Sequence, residues 1–368
     1  MKLTRLAYHY KVWGWQLNPV ELTDLNLLLG ASSVGKTQII KAILDLKCLA
    51  NGESPNGVAW EVEFTINDEI YRWLGETETV DPSSFSMAEI HLRPKILREQ
   101  LFRGEQNLFE RDRGVIYFQG VALPIKLPTR ESLISLLQED NHVAPIHSSF
   151  NKVVYKIEQV SQFTNTEWVH LDLAAEAYQT WAGLQGCDLP IYVKLAVAYH
   201  HLPDVFNEIK ARFIELFPHV AEVKVDILTK NSHVAPSLYL REHGMTNWMP
   251  SSRISAGMLK SLIFIANLYL CDEGSVILID EFENGLGVNC IDILSDMLIQ
   301  DRDLQLIITS HHPYIINNVP MIYWKIVTRK GDVVTVKTAA ELHLGDSKHE
   351  AFMQLLQLEE FTDGIINA

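Results

Sequence analysis

Three stretches of this sequence carry residues whose types and spacing can do chemistry. The first is Gly30-Ala31-Ser32-Ser33-Val34-Gly35-Lys36-Thr37, which fits G-x-x-x-x-G-K-[ST], the phosphate-binding loop. In such a loop the backbone N–H groups and the positive end of the following helix point at phosphate. Lys36 then reaches the β- and γ-phosphates, and the Thr37 hydroxyl holds Mg²⁺. Gly30, Ser33, Gly35, Lys36, Thr37 and the adjoining Gln38 form the expected nucleotide-contacting set, which points to a nucleoside triphosphate with Mg²⁺. The plainer reading is an ordinary turn ahead of a core helix.

The second stretch is Val276-Ile277-Leu278-Ile279-Asp280-Glu281. Four aliphatic residues followed by two carboxylates have the shape of a Walker B strand. The strand is apolar because it is buried. Asp280 at its tip suits Mg²⁺ ligation, directly or through water. Glu281 is placed to orient or deprotonate an attacking water. Alone the pattern is weak, since any buried strand ends in something polar; it gains weight from the loop at residues 30–37.

The third stretch, Ile254-Ser255-Ala256-Gly257-Met258, puts a small hydroxyl and a glycine at the start of an apolar helix. Serine caps such a helix and glycine permits the turn. His311-His312 offers two adjacent imidazoles, but no Cys or acid cluster follows at metal-ligand spacing. His200-His201 reads as a packed or solvated pair on a helix.

The elements that must position these residues are legible. Leu25–Leu29 reads as a buried strand before the loop. Gln38–Cys48 has helical spacing, with Ile39, Ile40, Ile43, Leu44 and Leu46 for its inner face. Residues 3–29 read as strands. Among Tyr8, Tyr10, Trp13 and Trp15, one aromatic is a candidate to stack on a base, although packing is the commoner role. Ala59–Ile66 and Ile70–Trp73 read as a hairpin about Asn67-Asp68, Glu76–Ser86 as a surface loop, and Leu108–Phe118 as two more strands. Leu123–Pro128 reads as extended, Ser132–Gln138 as a helix and Val153–Ile157 as a strand.

Glu167–Trp181 and Leu189–His201 read as helical, and Pro203-Asp204 opens a clear helix with Val205, Ile209, Phe213 and Leu216 on one stripe. Val223–Ile227 and Ser237–Arg241 read as strands. Met258–Leu270 is an apolar helix, Ser275–Ile279 a buried strand, Ile291–Gln300 a helix and Leu304–Thr309 another buried strand. A hairpin about Lys330-Gly331-Asp332 and a helix near His349–Glu359 close the chain. Strand, helix and strand in this order suggest a parallel sheet, with ligand residues gathered at the carboxyl ends of the strands. The expected organisation is an N-terminal lobe over 1–163 with the phosphate loop, a helical insertion over 164–235, and a C-terminal lobe over 236–368.

Composition sets limits. A 47% hydrophobic, 21% charged chain of 368 residues has ample material for a core. The net charge of −15 gives no support to DNA binding, though a local basic groove is not excluded by a sum. Cys48, Cys187, Cys271 and Cys290 are scattered, as expected of reduced thiols in a cytoplasmic protein. The start lacks the apolar core of a signal peptide. No run of about 18 apolar residues exists, so no membrane association is expected.

The order of motifs resembles the ABC-type ATPase heads of the SMC, RecF and OLD-nuclease group, nearest to compact prokaryotic members found in phage-defence operons. The order is phosphate loop, long insertion, Ser-Ala-Gly helix, Asp-Glu strand, then Ile307-Ile308-Thr309-Ser310-His311. Glu281-Phe282-Glu283-Asn284-Gly285-Leu286 is similar to that group's DEPENGLH-like stretch, and Thr309-Ser310-His311-His312-Pro313-Tyr314 to its TTHSPYLL stretch. The resemblance covers nearly the whole chain. It implies an α/β P-loop NTPase of ABC-ATPase type, with a mixed sheet, an antiparallel β lobe and a helical insertion.

By position, the resemblance makes Asp280 the Mg²⁺ acid, Glu281 the catalytic carboxylate and His311 the switch histidine that senses the γ-phosphate. Ser255 and Gly257 match the signature that contacts the γ-phosphate of a partner subunit. Asn284–Gly287 matches the D-loop region at the dimer interface, and Gln159 or Gln162 the Q-loop glutamine. The sequence also departs from the group. Ser-Ala-Gly stands where transporters carry Leu-Ser-Gly-Gly-Gln, Ser32-Ser33 where Asn-Gly is usual, and Gly287 where many relatives have histidine.

The resemblance implies an ATP-hydrolysing switch that forms a homodimer or higher oligomer and gates a separate effector, for instance a nuclease, in anti-phage defence or DNA transactions. A self-contained DNA-cleaving enzyme is disfavoured, because only about 50 residues follow His311-His312-Pro313, too few for a TOPRIM domain. A transporter subunit is disfavoured by the signature and the long insertion, and a small-molecule kinase by the Asp-Glu pair.

Overall fold

The computed structural model describes residues 1–81, 94–112, 114–124, 126–156, 169–170, 178–187, 189–230, 233–299, 303–345 and 347–357. They form two compact units. One comprises Met1–Tyr155, Gly274–Glu281 and Asp301–Ala368, the other Lys156–Glu273 and Phe282–Gln300. These are units of packing; the split at 163 and 235 is kept as a proposal about lobes.

The first unit is built on one sheet of fourteen strands. From edge to edge they are Val153–Lys156, Ser275–Ile279, Leu304–Thr309, Leu25–Leu29, Trp324–Lys330, Val333–Thr338, Trp15–Glu21, Lys2–Tyr10, Val58–Ile66, Glu69–Thr77, Ile96–Arg103, Gln106–Asp112, Val115–Phe118 and Val121–Ala122. The sheet changes character along its width. Ser275–Ile279, Leu304–Thr309, Leu25–Leu29 and Trp324–Lys330 are mutually parallel. From Trp15–Glu21 outward every pairing is antiparallel.

The pattern of side chains follows that division. Leu25–Leu29 and Ser275–Ile279 are buried at every residue, as strands covered on both faces must be. Val58–Ile66 instead alternates, with Val58, Trp60, Val62 and Phe64 inward. Its hairpin turns on Asn67 and Asp68, both at positive φ (50° and 64°), the conformation that a two-residue connection needs and that these residue types tolerate. Gln305 fastens the parallel half to the first strand: its side-chain amide donates to Leu3 O (2.7 Å) and Thr23 O (2.9 Å) and accepts from Leu3 N (2.8 Å).

The helix Lys36–Ala50 packs Ile39, Ile40, Ile43, Leu46 and Leu49 into the core. Burial of each such side chain stabilises by about 1.5–3 kcal/mol. The strand Ile96–Arg103 and the helix Ala144–Asn151 have no counterpart in the sequence reading. Residues 82–86, Ile157, Gln159, Gln162, 167–168, 171–177, Gln300 and 358–359, which the sequence places in elements or at the site, lie outside the described residues.

The second unit holds the helices Trp181–Gly186, Ile191–His201, Pro203–Leu216, Ala256–Leu270 and Val288–Leu298, with a small antiparallel sheet of Val169–His170, Val220–Lys230, His233–Glu242 and Met249–Pro250. The helix from Pro203 buries Phe206, Ile209, Phe213 and Leu216, while Val205 is half-buried. One expectation needs correcting. Val169 and His170, read as helical, pair with Val234 and His233 as strand. An available strand edge overrides local helical preference there. A described helix spans Trp181–Gly186, where the Thr180 hydroxyl accepts from Gly183 N–H at 3.2 Å. Among the described residues, no helix is long and apolar enough to cross a membrane.

Candidate functional site

Register explains why distant residues meet. Ile279 is level with Ile308, and Ile308 with Leu27. Asp280, Thr309 and the start of the phosphate loop therefore leave the sheet at one edge, the carboxyl ends of three parallel strands. There they open into a cavity of about 580 Å³ lined by Lys36, Thr37, Asp280, Glu281, Thr309 and His311, among others. Ser32, Ser33, Gly35 and Gln38 also line it, with Tyr10, Trp13, Trp15 and Arg329 as further wall. All belong to the first unit. The structure thus brings together loop, acid pair and histidine that are up to 281 positions apart in the sequence (311 − 30).

The loop backbone holds three residues at positive φ, Gly30 (155°), Ser33 and Gly35. Gly35, at φ 109°, ends the loop just before the helix. A Cβ there would lie 3.1 Å from both Trp15 Nε1 and Val334 Cγ2, so conformation and space both call for glycine. Ser33 also has positive φ (70°) without being glycine. The Lys36 ammonium donates to Gly30 O (2.6 Å) and Ala31 O (2.7 Å), which holds it inside the loop.

The acids are held from the neighbouring strand. Thr309 Oγ1 donates to Asp280 Oδ1 at 2.5 Å and accepts from the Glu281 N–H at 2.8 Å. Glu281 is exposed, with φ 47°, a conformation that costs a non-glycine residue about 1–2 kcal/mol. Burial, and secondarily the Asp280 carboxylate, push the Tyr155 hydroxyl up from its ordinary value. His311 is exposed on the cavity wall, whereas His312 caps the next short helix, its Nδ1 accepting from Tyr314 N–H at 3.3 Å.

The aromatic residues divide their roles. Tyr8 is buried and donates to Asp45 at 2.7 Å. Trp15 is buried against Gly35. Tyr10 and Trp13 stack on each other at 4.9 Å and 7°, and Trp13 is 69% exposed. Trp13 is thus the aromatic with area to offer a base. Arg329 had no signal in the sequence; it is anchored by its own turn, Nε donating to Gly331 O at 2.6 Å. Thr309 was visible as the last residue of a buried strand and the first of the TTHSPYLL-like stretch, with no role of its own.

In the second unit, Ser255 caps the helix Ala256–Leu270, accepting from Met258 N–H at 3.2 Å. Gly257 faces the segment after Glu281: a Cβ on it would sit 2.9 Å from Gly285 O. Lys260 donates to Asn284 O at 3.0 Å. The Ser-Ala-Gly turn and the Asn284-Gly285 segment are therefore packed as one piece.

The donor chemistry fits a nucleotide with a hard cation. Thr37 offers a hydroxyl and Asp280 a carboxylate to the same cavity, both oxygen ligands of the kind Mg²⁺ takes. Among the described residues, no group of three or more His, Cys, Asp or Glu forms an all-protein metal site.

Comparison with known proteins agrees. A family model described as "AAA domain, putative AbiEii toxin, Type IV TA system" matches residues 25–317, from the strand before the phosphate loop to the helix after His312. The chain belongs to this AAA family. Its fold is that of an SMC-like ABC ATPase head. A solved SMC head bound to the C-winged helix domain of ScpA is 12% identical, with TM-score 0.54, covering 92% of this chain and 97% of that one. The SMC head domain from Thermotoga maritima is 14% identical, with TM-score 0.43, covering 92% and 99%. No curated protein matches the chain. The family and fold are those of nucleotide-binding P-loop ATPases.

Proposed function

We propose that this AAA-family protein is an ATPase switch that closes as a dimer around ATP and opens after hydrolysis. The observation that carries the reading is the single cavity in which Lys36, Thr37, Asp280, Glu281 and His311 meet. Gly30, Ser33, Gly35 and Gln38 contribute the loop around the phosphates. Bound Mg²⁺ would neutralise charge on the β- and γ-phosphates, held by Thr37 and Asp280. Glu281 orients and deprotonates the attacking water. His311 reads the presence of the γ-phosphate. Trp13 offers a face to the base.

The second half of the working site comes from another copy, whose Ser255-Ala256-Gly257 turn faces the γ-phosphate. The helix start at Ser255 supports this reading, because its first N–H groups and positive dipole end suit phosphate. Its packing with Asn284-Gly285 gives a route from hydrolysis to opening of the dimer. The output passes to a separate effector polypeptide, in a cytoplasmic setting of anti-phage defence or DNA transactions. The family's toxin–antitoxin description and the ScpA-bound SMC head both fit a protein that works through a partner. The charge of −15 leaves direct DNA contact without support.

Analytical ultracentrifugation of Glu281→Gln tests the switch. ATP with Mg²⁺ should shift the variant to a dimer, and the further change Ser255→Arg should abolish the shift. A Glu281→Gln protein whose sedimentation ignores ATP would rule out an ATP-closed dimer.

A further inference from the structure

Thr309 is 1% exposed and ends the strand beside the one that carries the acids. Its hydroxyl makes the two contacts already described, to Asp280 Oδ1 (2.5 Å) and from Glu281 N–H (2.8 Å). A hydroxyl has one proton. The amide can only donate, so the hydroxyl must accept there, and its proton goes to the carboxylate. A bond from hydroxyl to an ionised carboxylate is short and strong. It turns the Asp280 carboxylate to one orientation, with Oδ1 engaged and Oδ2 outside this bond. The second contact holds the amide of Glu281, the member of the acid pair in a left-handed conformation (φ 47°). Such strain persists only where the surroundings over-determine it. Two residues beyond Thr309 stands His311, on the wall of the same cavity.

We infer that Thr309 is a positioning residue: one hydroxyl sets both the orientation of the Asp280 carboxylate and the backbone of Glu281, and ties the pair to the segment that carries His311. A shift of residues 309–311 therefore moves both acids together. The inference deepens the ATPase reading and rests on it.

Thr309→Val keeps the shape and removes both bonds; Thr309→Ser keeps them. Removing a group that orients metal-site residues costs about 10- to 100-fold in activity or metal affinity. For Thr309→Val we expect that loss in kcat, a similar rise in the Mg²⁺ concentration that half-saturates nucleotide binding, and KM for ATP at saturating Mg²⁺ within about threefold of wild type. Thr309→Ser should restore both readouts. Should Thr309→Val not fold, Thr309→Cys, with only a weak S–H donor, should show the same losses. Wild-type kcat and Mg²⁺ dependence in Thr309→Val or Thr309→Cys would overturn the inference, as would equal damage in Thr309→Ser. A wild-type protein that binds ATP without hydrolysing it would count against the ATPase reading instead, and the Mg²⁺ dependence of binding would still decide the role of Thr309.

Discussion

Gly35 lies directly against the indole of Trp15, so close that a Cβ on the glycine would be 3.1 Å from Nε1. The phosphate loop therefore ends on a wall supplied by the second strand, Trp15–Glu21. Gly35→Ala must both occupy that gap and hold φ 109°. Nucleotide binding should fall by at least about tenfold, equivalent to about 1.4 kcal/mol, with the far-ultraviolet circular dichroism unchanged. Titration with a fluorescent ATP analogue checks this.

Ser33 presents the opposite case. It holds a left-handed φ of 70° with a side chain attached. Ser33→Gly removes a strain of about 1–2 kcal/mol, offset in part by the extra freedom of glycine in the unfolded chain. The net expectation is unchanged or slightly higher stability in urea denaturation, together with faster turnover if the strained loop limits it. Destabilisation by more than about 1 kcal/mol would show that Ser33 contributes contacts beyond its backbone.

At the far wall of the cavity, Trp13 is exposed and stacked on Tyr10. A base on an aromatic face is worth about 1–3 kcal/mol by alanine substitution. Trp13→Ala should weaken ATP binding accordingly while leaving binding of inorganic triphosphate unchanged. Calorimetry with both ligands separates the base from the phosphates.

The antiparallel half makes a prediction about stability alone. Glu99 is fully buried and accepts from Trp73 Nε1 (3.1 Å), Ser132 Oγ (2.5 Å) and Leu133 N (2.9 Å). Burial pushes its carboxyl up, against the pull of Arg111 and these donors. Glu99→Ala strands three buried donors, at about 1–3 kcal/mol each before relaxation. A fall of about 3 kcal/mol or more in unfolding free energy is expected, with no direct effect on the nucleotide cavity.

Much of this was legible in the sequence, for physical reasons. Parallel strands buried on both faces are mostly apolar, so Leu25–Leu29, Ser275–Ile279 and Leu304–Thr309 stand out even with Asn26 and Gln305 within them, and the chemistry sits at their ends. The helix Lys36–Ala50 declares its inner face by spacing. What local pattern could not show was pairing. The residues Val169–His170 take their strand form from His233 and Val234, some 60 positions away (233 − 170 = 63). Likewise the stretch that holds Thr309 does not show its contact with the acids; only the register of two parallel strands sets it beside Asp280. Arg329 enters the cavity because its strand runs alongside Leu25–Leu29.

The central claim is that the cavity hydrolyses ATP with Glu281 as its base. Phosphate release by wild type and Glu281→Gln, measured beside retention of radiolabelled ATP, tests it most directly. The account predicts steady release by wild type, release reduced about 10²- to 10⁴-fold in the variant, and ATP retained intact on the variant. Equal rates of release from the two proteins would contradict it.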